Sequence, residues 1–109
     1  MHLCIKQSSI KNEDINALYK NLARYIKSLK CNLSIYRISK EQIDIRTYEN
    51  GVGETLSCGS ASLAVASLCI KDKCKVKSIR YRGWQYKAAL AIFVVSFFYF
   101  LIKSCILYV

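Results

Sequence analysis

Residues 46 to 62 read RTYENGVGETLSCGSAS, which groups glycines, carboxylates and a cysteine directly ahead of an uncharged apolar run. The loop from Gly51, GVGETLSCGS, lacks the Gly-Lys-Ser/Thr of a phosphate loop. Leu56 also sits where a dinucleotide fingerprint has its third glycine. What the loop offers is Cys58 at the mouth of a helix, beside the backbone N–H groups of Gly59 and Ser60. At a helix start such donors have no intrahelical acceptor. They and the helix dipole suit a carboxylate ligand, and the same field favours a thiolate at Cys58. A thiolate beside a bound carboxylate can take the proton alpha to it. The charge then developing on the carboxylate oxygens is met by the helix N-terminus. The alternative is that Cys58 is a small residue chosen for packing, and the local residues leave both readings open.

The elements that must position this loop are legible as periodicities. HLCIK (residues 2 to 6) reads as a short strand. Between Asn12 and Leu29, Ile15, Leu18, Leu22, Tyr25, Ile26 and Leu29 recur at helical spacing, with Asn12, Glu13 and Asp14 suited to the cap and first turn. LSIYRI (33 to 38) and IDIRTY (43 to 48) read as strands, joined by a connection of hairpin length. In the second, Ile43, Ile45 and Thr47 alternate with Asp44, Arg46 and Tyr48, as a strand with one half-buried face requires. SASLAVASLCI (60 to 70) has no charged face, so it predicts a helix buried on all sides, which needs a sheet around it. KVKSIRYRG (75 to 83) predicts one more strand.

The chain has 109 residues, 53% of them apolar and 22% charged, which bounds it to one small domain or part of a larger one. Its formal charge of +10 permits nucleic-acid or anionic-membrane binding, but the basic residues are scattered and form no basic-aromatic module. Nucleic acid is therefore not an expected partner. Six cysteines without a C-x-x-C pair, a single histidine and no signal peptide argue against a disulfide scaffold and against a metal site. Free thiols in the cytoplasm are the expectation. Ala88 to Ile102 is an uncharged run of 15 residues, shorter than the ~20 that cross a bilayer, although snorkelling by Lys103 would lengthen it. Residues 88–109 are thus a candidate membrane contact, a buried strand pair or an aberrant tail.

The run IDIRTYENGVGETLSCGSASLAVAS resembles the E-R-G-x-G-E-T-x-x-C-G-[ST]-G signature of the diaminopimelate epimerase family. HLCI resembles the end of that family's G-N-P-H strand, and KCNLSIYRI its substrate-binding asparagine strand. The resemblance covers residues 2 to about 86. It implies an α+β fold in which a mixed or antiparallel sheet wraps a buried central helix. Residues 1–86 would form a partial C-terminal domain, and 87–109 an apolar helix or tail. It also implies cofactor-independent chemistry, in which two cysteines on opposite faces of the alpha carbon interconvert LL- and meso-diaminopimelate for lysine and peptidoglycan synthesis.

On this resemblance Cys58 is one of those two cysteines. Gly59 and Ser60 hold the alpha-carboxylate through their amides, Glu49 meets the distal amine, Asn32 meets the distal carboxylate end, and His2 is the active-site histidine. The pattern breaks in four places. The residues that precede the histidine in the family are not present, and neither is the domain carrying the other catalytic cysteine. Asn50 stands where the family has an arginine that grips the distal carboxylate, and Ala61 replaces a glycine. Losing a charge-assisted bidentate bond costs about 1.5–3 kcal/mol. The expectation is a half-site, inactive alone, that a second polypeptide carrying an N-terminal domain could complete. The alternatives are a non-catalytic remnant and a small membrane-anchored basic protein.

Overall fold

Asp14 starts the first helix. Its carboxylate accepts the Ala17 N–H at 3.0 Å and its carbonyl accepts the Leu18 N–H, so helix α1 runs Ile15–Leu29, after the Asn12 expected from the pattern. Lys30, at φ 51°, ends it, and the Cys31 N–H returns to the Ile26 carbonyl as in a Schellman turn. Ile15, Tyr19 and Ile26 form the buried stripe. Tyr25, read above as part of the stripe, is 64% exposed because it lies off the line those three define.

The computed structural model describes residues 2–56, 58–73, 78–81, 85–87 and 106–108. Around α1 it places β1 (His2–Lys6), β2 (Asn32–Ser39), β3 (Gln42–Glu49) and β4 (Gly53–Thr55). Helix α2 (Gly59–Lys71) and strands β5 (Ser78–Arg80), β6 (Gln85–Lys87) and β7 (Ile106–Tyr108) follow. The strands form one mixed sheet in the order β6-β5-β3-β2-β1-β7, with β4 also on β3. β1 pairs parallel with β2 across α1, and β2 pairs antiparallel with β3 through the turn at Lys40, whose φ is 55°. The other edge of β3 is divided: Gln42 to Asp44 pair with β5, and Thr47 to Glu49 with β4.

The sheet has a helix on each face. Cys4, Tyr36, Ile43, Ile45 and Ile79 pack with Ala64, Val65, Ala66, Leu68 and Cys69 of α2. Leu33 and Ile35 pack with Ile15, Tyr19 and Ile26 of α1. The α+β class, the mixed sheet and the buried apolar helix are as expected. Small side chains let α2 sit close to the sheet. Its buried Ser62 and Ser67 hydroxyls bond back to the Cys58 and Ala64 carbonyls, which lowers the cost of burying them. Of the strand expected over 75–83, the described part is Ser78–Arg80. The apolar run 88–105 lies outside the described residues, while Ile106–Tyr108 pairs parallel with β1. Among the described residues no helix is long and apolar enough to cross a membrane.

The polar side of β3 is not the solvated face that its alternation predicts. Arg46 is 6% exposed, because the chain between β1 and α1 folds over it. Its Nε and Nη2 donate to the two Glu54 oxygens at 2.7 and 2.9 Å, and its Nη1 to the Ile10 and Glu13 carbonyls at 2.6 and 2.7 Å. The bonds to Glu54 raise the already high pKa of the guanidinium. Tyr48, two residues on, stacks against Tyr19 with ring centroids 4.0 Å apart. Removing one partner of a buried ion pair costs about 3–5 kcal/mol. Arg46→Ala and Glu54→Ala are each expected to lose about that much in urea unfolding: the first strips donors from two carbonyls, and the second leaves a 7% exposed guanidinium without its counter-charge. A Glu54→Ala variant as stable as the parent would show that the pair does not hold β4.

Candidate active site

The β3–β4 turn is built around glycine. The Val52 N–H returns to the Glu49 carbonyl at 3.0 Å, and Gly51 at φ 80° occupies the third position, as a type II turn requires. β4 then leads to Cys58, the N-cap residue of α2. The Cys58 carbonyl accepts the Ser62 N–H at 3.0 Å, closing the first helical turn. It lies also 3.1 Å from the Ser62 hydroxyl and 2.8 Å from that of Tyr81, which donates to it. The Cys58 backbone is therefore held from behind by buried groups. Its side chain is 8% exposed, with Sγ 3.3 Å from the Ser60 Oγ. Gly59 and Ser60 are exposed in the first turn of α2, and a Cβ built on Gly59 meets nothing within 4 Å. The helix end is open from in front, and its first amides are available to an anion.

His2, Asn32 and Glu49 collect at one end of the sheet. His2 and Asn32 are register partners, and Leu33 pairs with Tyr48, which sets Asn32 beside Glu49. Strand alternation puts all three on the face that carries Cys4, Ser34 and Thr47, the α2 side. Asn32 Oδ1 accepts the Asn50 N–H at 2.9 Å, so its carbonyl end braces the turn and its NH2 end is left for other partners. The Thr55 hydroxyl donates to Glu49 Oε1 at 3.1 Å. Asn50 differs from the others: its side-chain oxygen accepts the Tyr19 hydroxyl at 2.9 Å. Among the described residues no hydrogen bond joins Cys58 to His2, Asn32 or Glu49. Nor do three His, Cys, Asp or Glu side chains come together there as metal ligands. Two surface clefts, of about 320 and 360 Å³, lie beside Arg37, Asp44 and Arg80.

Three supporting groups were invisible in the pattern. Ser62 lies one helical turn after Cys58, a spacing that could have suggested its role. Thr55 falls inside the quoted loop. Tyr81, 23 residues from Cys58, carries no local signal at all.

Comparison with curated proteins adds to this geometry. A diaminopimelate epimerase of Buchnera aphidicola subsp. Acyrthosiphon pisum (strain 5A) is 39% identical over 74 residues, covering 66% of this chain and 26% of that protein. Those of Rhizobium meliloti (strain 1021) and Archaeoglobus fulgidus are 53% and 50% identical over 38 residues, covering 34% of this chain and 13% and 14% of theirs. Over these stretches the chain is similar to diaminopimelate epimerases. It spans about a quarter of the length of the first of these relatives. The family model for cytochrome b(C-terminal)/b6/petD also matches, over residues 33–106. By its extent that match would place the chain with cytochrome b, but the residues it covers do not support the placement. Residues 33–49 of the match are a charged, alternating strand pair, β2 and β3.

His2 is 8% exposed, and its Nδ1 is buried without a hydrogen-bond partner among the described residues. Burial lowers its pKa below the usual 6.5, while the Glu49 carboxylate acts in the opposite direction. In the unfolded chain the histidine takes up its proton near pH 6.5, before the folded one does, so acid favours unfolding. Stability measured in urea is expected to hold above pH 6.5 and to fall as pH drops below it, before most carboxylates titrate. His2→Gln should flatten that slope; an unchanged slope would show that His2 is not the group responsible.

Proposed function

We propose that this chain supplies one half of a diaminopimelate epimerase site, acting from one face of the substrate's alpha carbon. The observation that carries the reading is Cys58 at the N-cap of α2, beside two exposed first-turn residues, in a stretch similar to those enzymes. The Gly59 and Ser60 amides bind the alpha-carboxylate. The Cys58 thiolate takes the alpha proton, and the electron pair left on carbon delocalises onto the carboxylate oxygens at the helix N-terminus. Glu49, on the same sheet face as Asn32 and His2, meets the distal amine. Asn32, through its NH2 end, meets the distal carboxylate. The product serves lysine and peptidoglycan synthesis.

Inversion requires a proton delivered to the opposite face, which one cysteine cannot do. The other described cysteines are poor candidates. Cys4, Cys31 and Cys69 are buried, and burial pushes the Cys4 thiol up to about 12. The second acid must come from a polypeptide segment other than the described residues, a separate N-terminal domain on this reading. Asn50, held by Tyr19, leaves the distal carboxylate with a weaker grip than an arginine would give.

The test is exchange of the alpha hydrogen of diaminopimelate in heavy water, followed by NMR. The chain alone is expected to give no net epimerisation, and a mixture with an epimerase N-terminal domain to give it. Cys58→Ala should lower the rate of the mixture by a factor of 10² to 10⁴, as loss of a general base does. No exchange in either case would leave the chain a non-catalytic relative.

A further inference from the structure

The clefts away from Cys58 lie where the Arg37 row crosses the sheet. In register, Arg37 of β2, Asp44 of β3 and Arg80 of β5 stand side by side, followed by Ser39, Gln42 and Ser78. The two clefts, of about 320 and 360 Å³, both include Arg37, Asp44 and Arg80. Arg37 is five residues along β2 from Asn32, roughly 17 Å at the ~3.4 Å rise of an antiparallel strand, and on the opposite face. The clefts are therefore separate from the candidate active site.

The charges in them are unequally satisfied. Asp44 is covered by its neighbours: Oδ1 accepts Gln42 Nε2 at 2.7 Å and Arg80 Nε at 3.0 Å, and Oδ2 accepts Arg80 Nη2 at 3.3 Å. Arg46 also borders one cleft, but its three nitrogens are committed to Glu54, Ile10 and Glu13. Arg37 is the exception. It faces Asp44 in register, yet it makes no hydrogen bond or ion pair among the described residues. Lys11 borders one cleft and Lys40 the other, and the Arg80 side chain is 55% exposed. With the Arg46–Glu54 pair balanced, four cations face two carboxylates, Asp44 and Glu41.

We infer that this double cleft binds the phosphate group of a small phosphate ester or diphosphate, with Arg37 as its principal ligand. A free guanidinium fork on Arg37 matches two oxygens of one phosphate, and two strands away Arg80, whose Nε and Nη2 are held by Asp44, keeps Nη1 for a further oxygen. Strands lie about 4.8 Å apart, so the two guanidinium groups are spaced for an anion with several oxygens rather than for a lone carboxylate. Ser39 adds a hydroxyl donor beside them, while the Ser78 hydroxyl donates to Gln42 Oε1 at 3.5 Å. Asp44 orients Arg80 without using Arg37, so the site needs no rearrangement to receive an anion.

The test uses the full chain and inorganic pyrophosphate as the probe, following the arginine Nε–Hε signals by NMR at constant ionic strength. Saturable shifts at Arg37 and Arg80 are expected, weakened at least tenfold by Arg37→Gln. Among the described residues that change removes no hydrogen bond or ion pair, and an unchanged amide spectrum away from the cleft checks the fold. Asp44→Asn should tighten binding, by removing the carboxylate that competes for Arg80. Shifts that merely follow a matched sodium chloride series, or that survive Arg37→Gln, would overturn the site. Displacement of pyrophosphate by a short single-stranded oligonucleotide at lower concentration would overturn the small-molecule source and assign the phosphate to a nucleic-acid backbone. Neither result depends on the epimerase reading, since Cys58→Ala should leave pyrophosphate binding unchanged.

Discussion

Arg46 sits at the junction of three segments, β3, β4 and the chain that leads into α1. Its guanidinium joins β3 to Glu54 on β4, and both to the carbonyls that lead into α1. A charge so enclosed is tolerated because every face of the fork has an acceptor. The consequence runs in two directions. β4 can extend the edge of β3 for only three residues, yet it is fixed there, and the loop to Cys58 begins from a defined place. The entry to α1 is fixed as well, which lets Tyr19 reach both Tyr48 and Asn50.

The candidate site combines a rigid rear with an open front. Behind Cys58, Ser62 and Tyr81 converge on a single carbonyl, so the backbone at the N-cap is over-determined before any ligand arrives. In front, Gly59 leaves space that a side chain would begin to fill. The end of the sheet that carries His2, Asn32 and Glu49 is braced in the same manner, with Asn32 spending its oxygen on the Asn50 amide and Glu49 receiving the Thr55 hydroxyl. Preorganisation of this kind suits stabilisation of a charge that appears only in the transition state.

The strands and helices were legible because burial on a regular element leaves a period in the sequence. β1 and the β2–β3 pair emerge within a residue or so of where alternation places them, and α2 is betrayed by its lack of any charged face. What alternation cannot show is who covers the second face. Arg46 reads as solvated because its cover, the Ile10 carbonyl, is 36 residues away in sequence. Tyr25 reads as buried and Tyr19 does not stand out, since both fall near the stripe and only tertiary packing separates them. In the site, Cys58, Gly59 and Ser60 could be read from local chemistry alone. The grouping of His2, Asn32 and Glu49 could not, because it arises from register between three strands.

The chain reverses or ends its elements at Lys30, Lys40 and Lys73, all left-handed at φ 51° to 57°. Glycine would relax each corner, and lysine there costs on the order of 1 kcal/mol of backbone strain. Two of the three follow helices, where a cation gains about 0.3–1 kcal/mol from the carboxyl-end dipole. The basic character of this protein is thus partly built into its corners. Charge sits at the points where the backbone is least comfortable, so a solution that screens charge should soften the helix ends before it reaches the sheet.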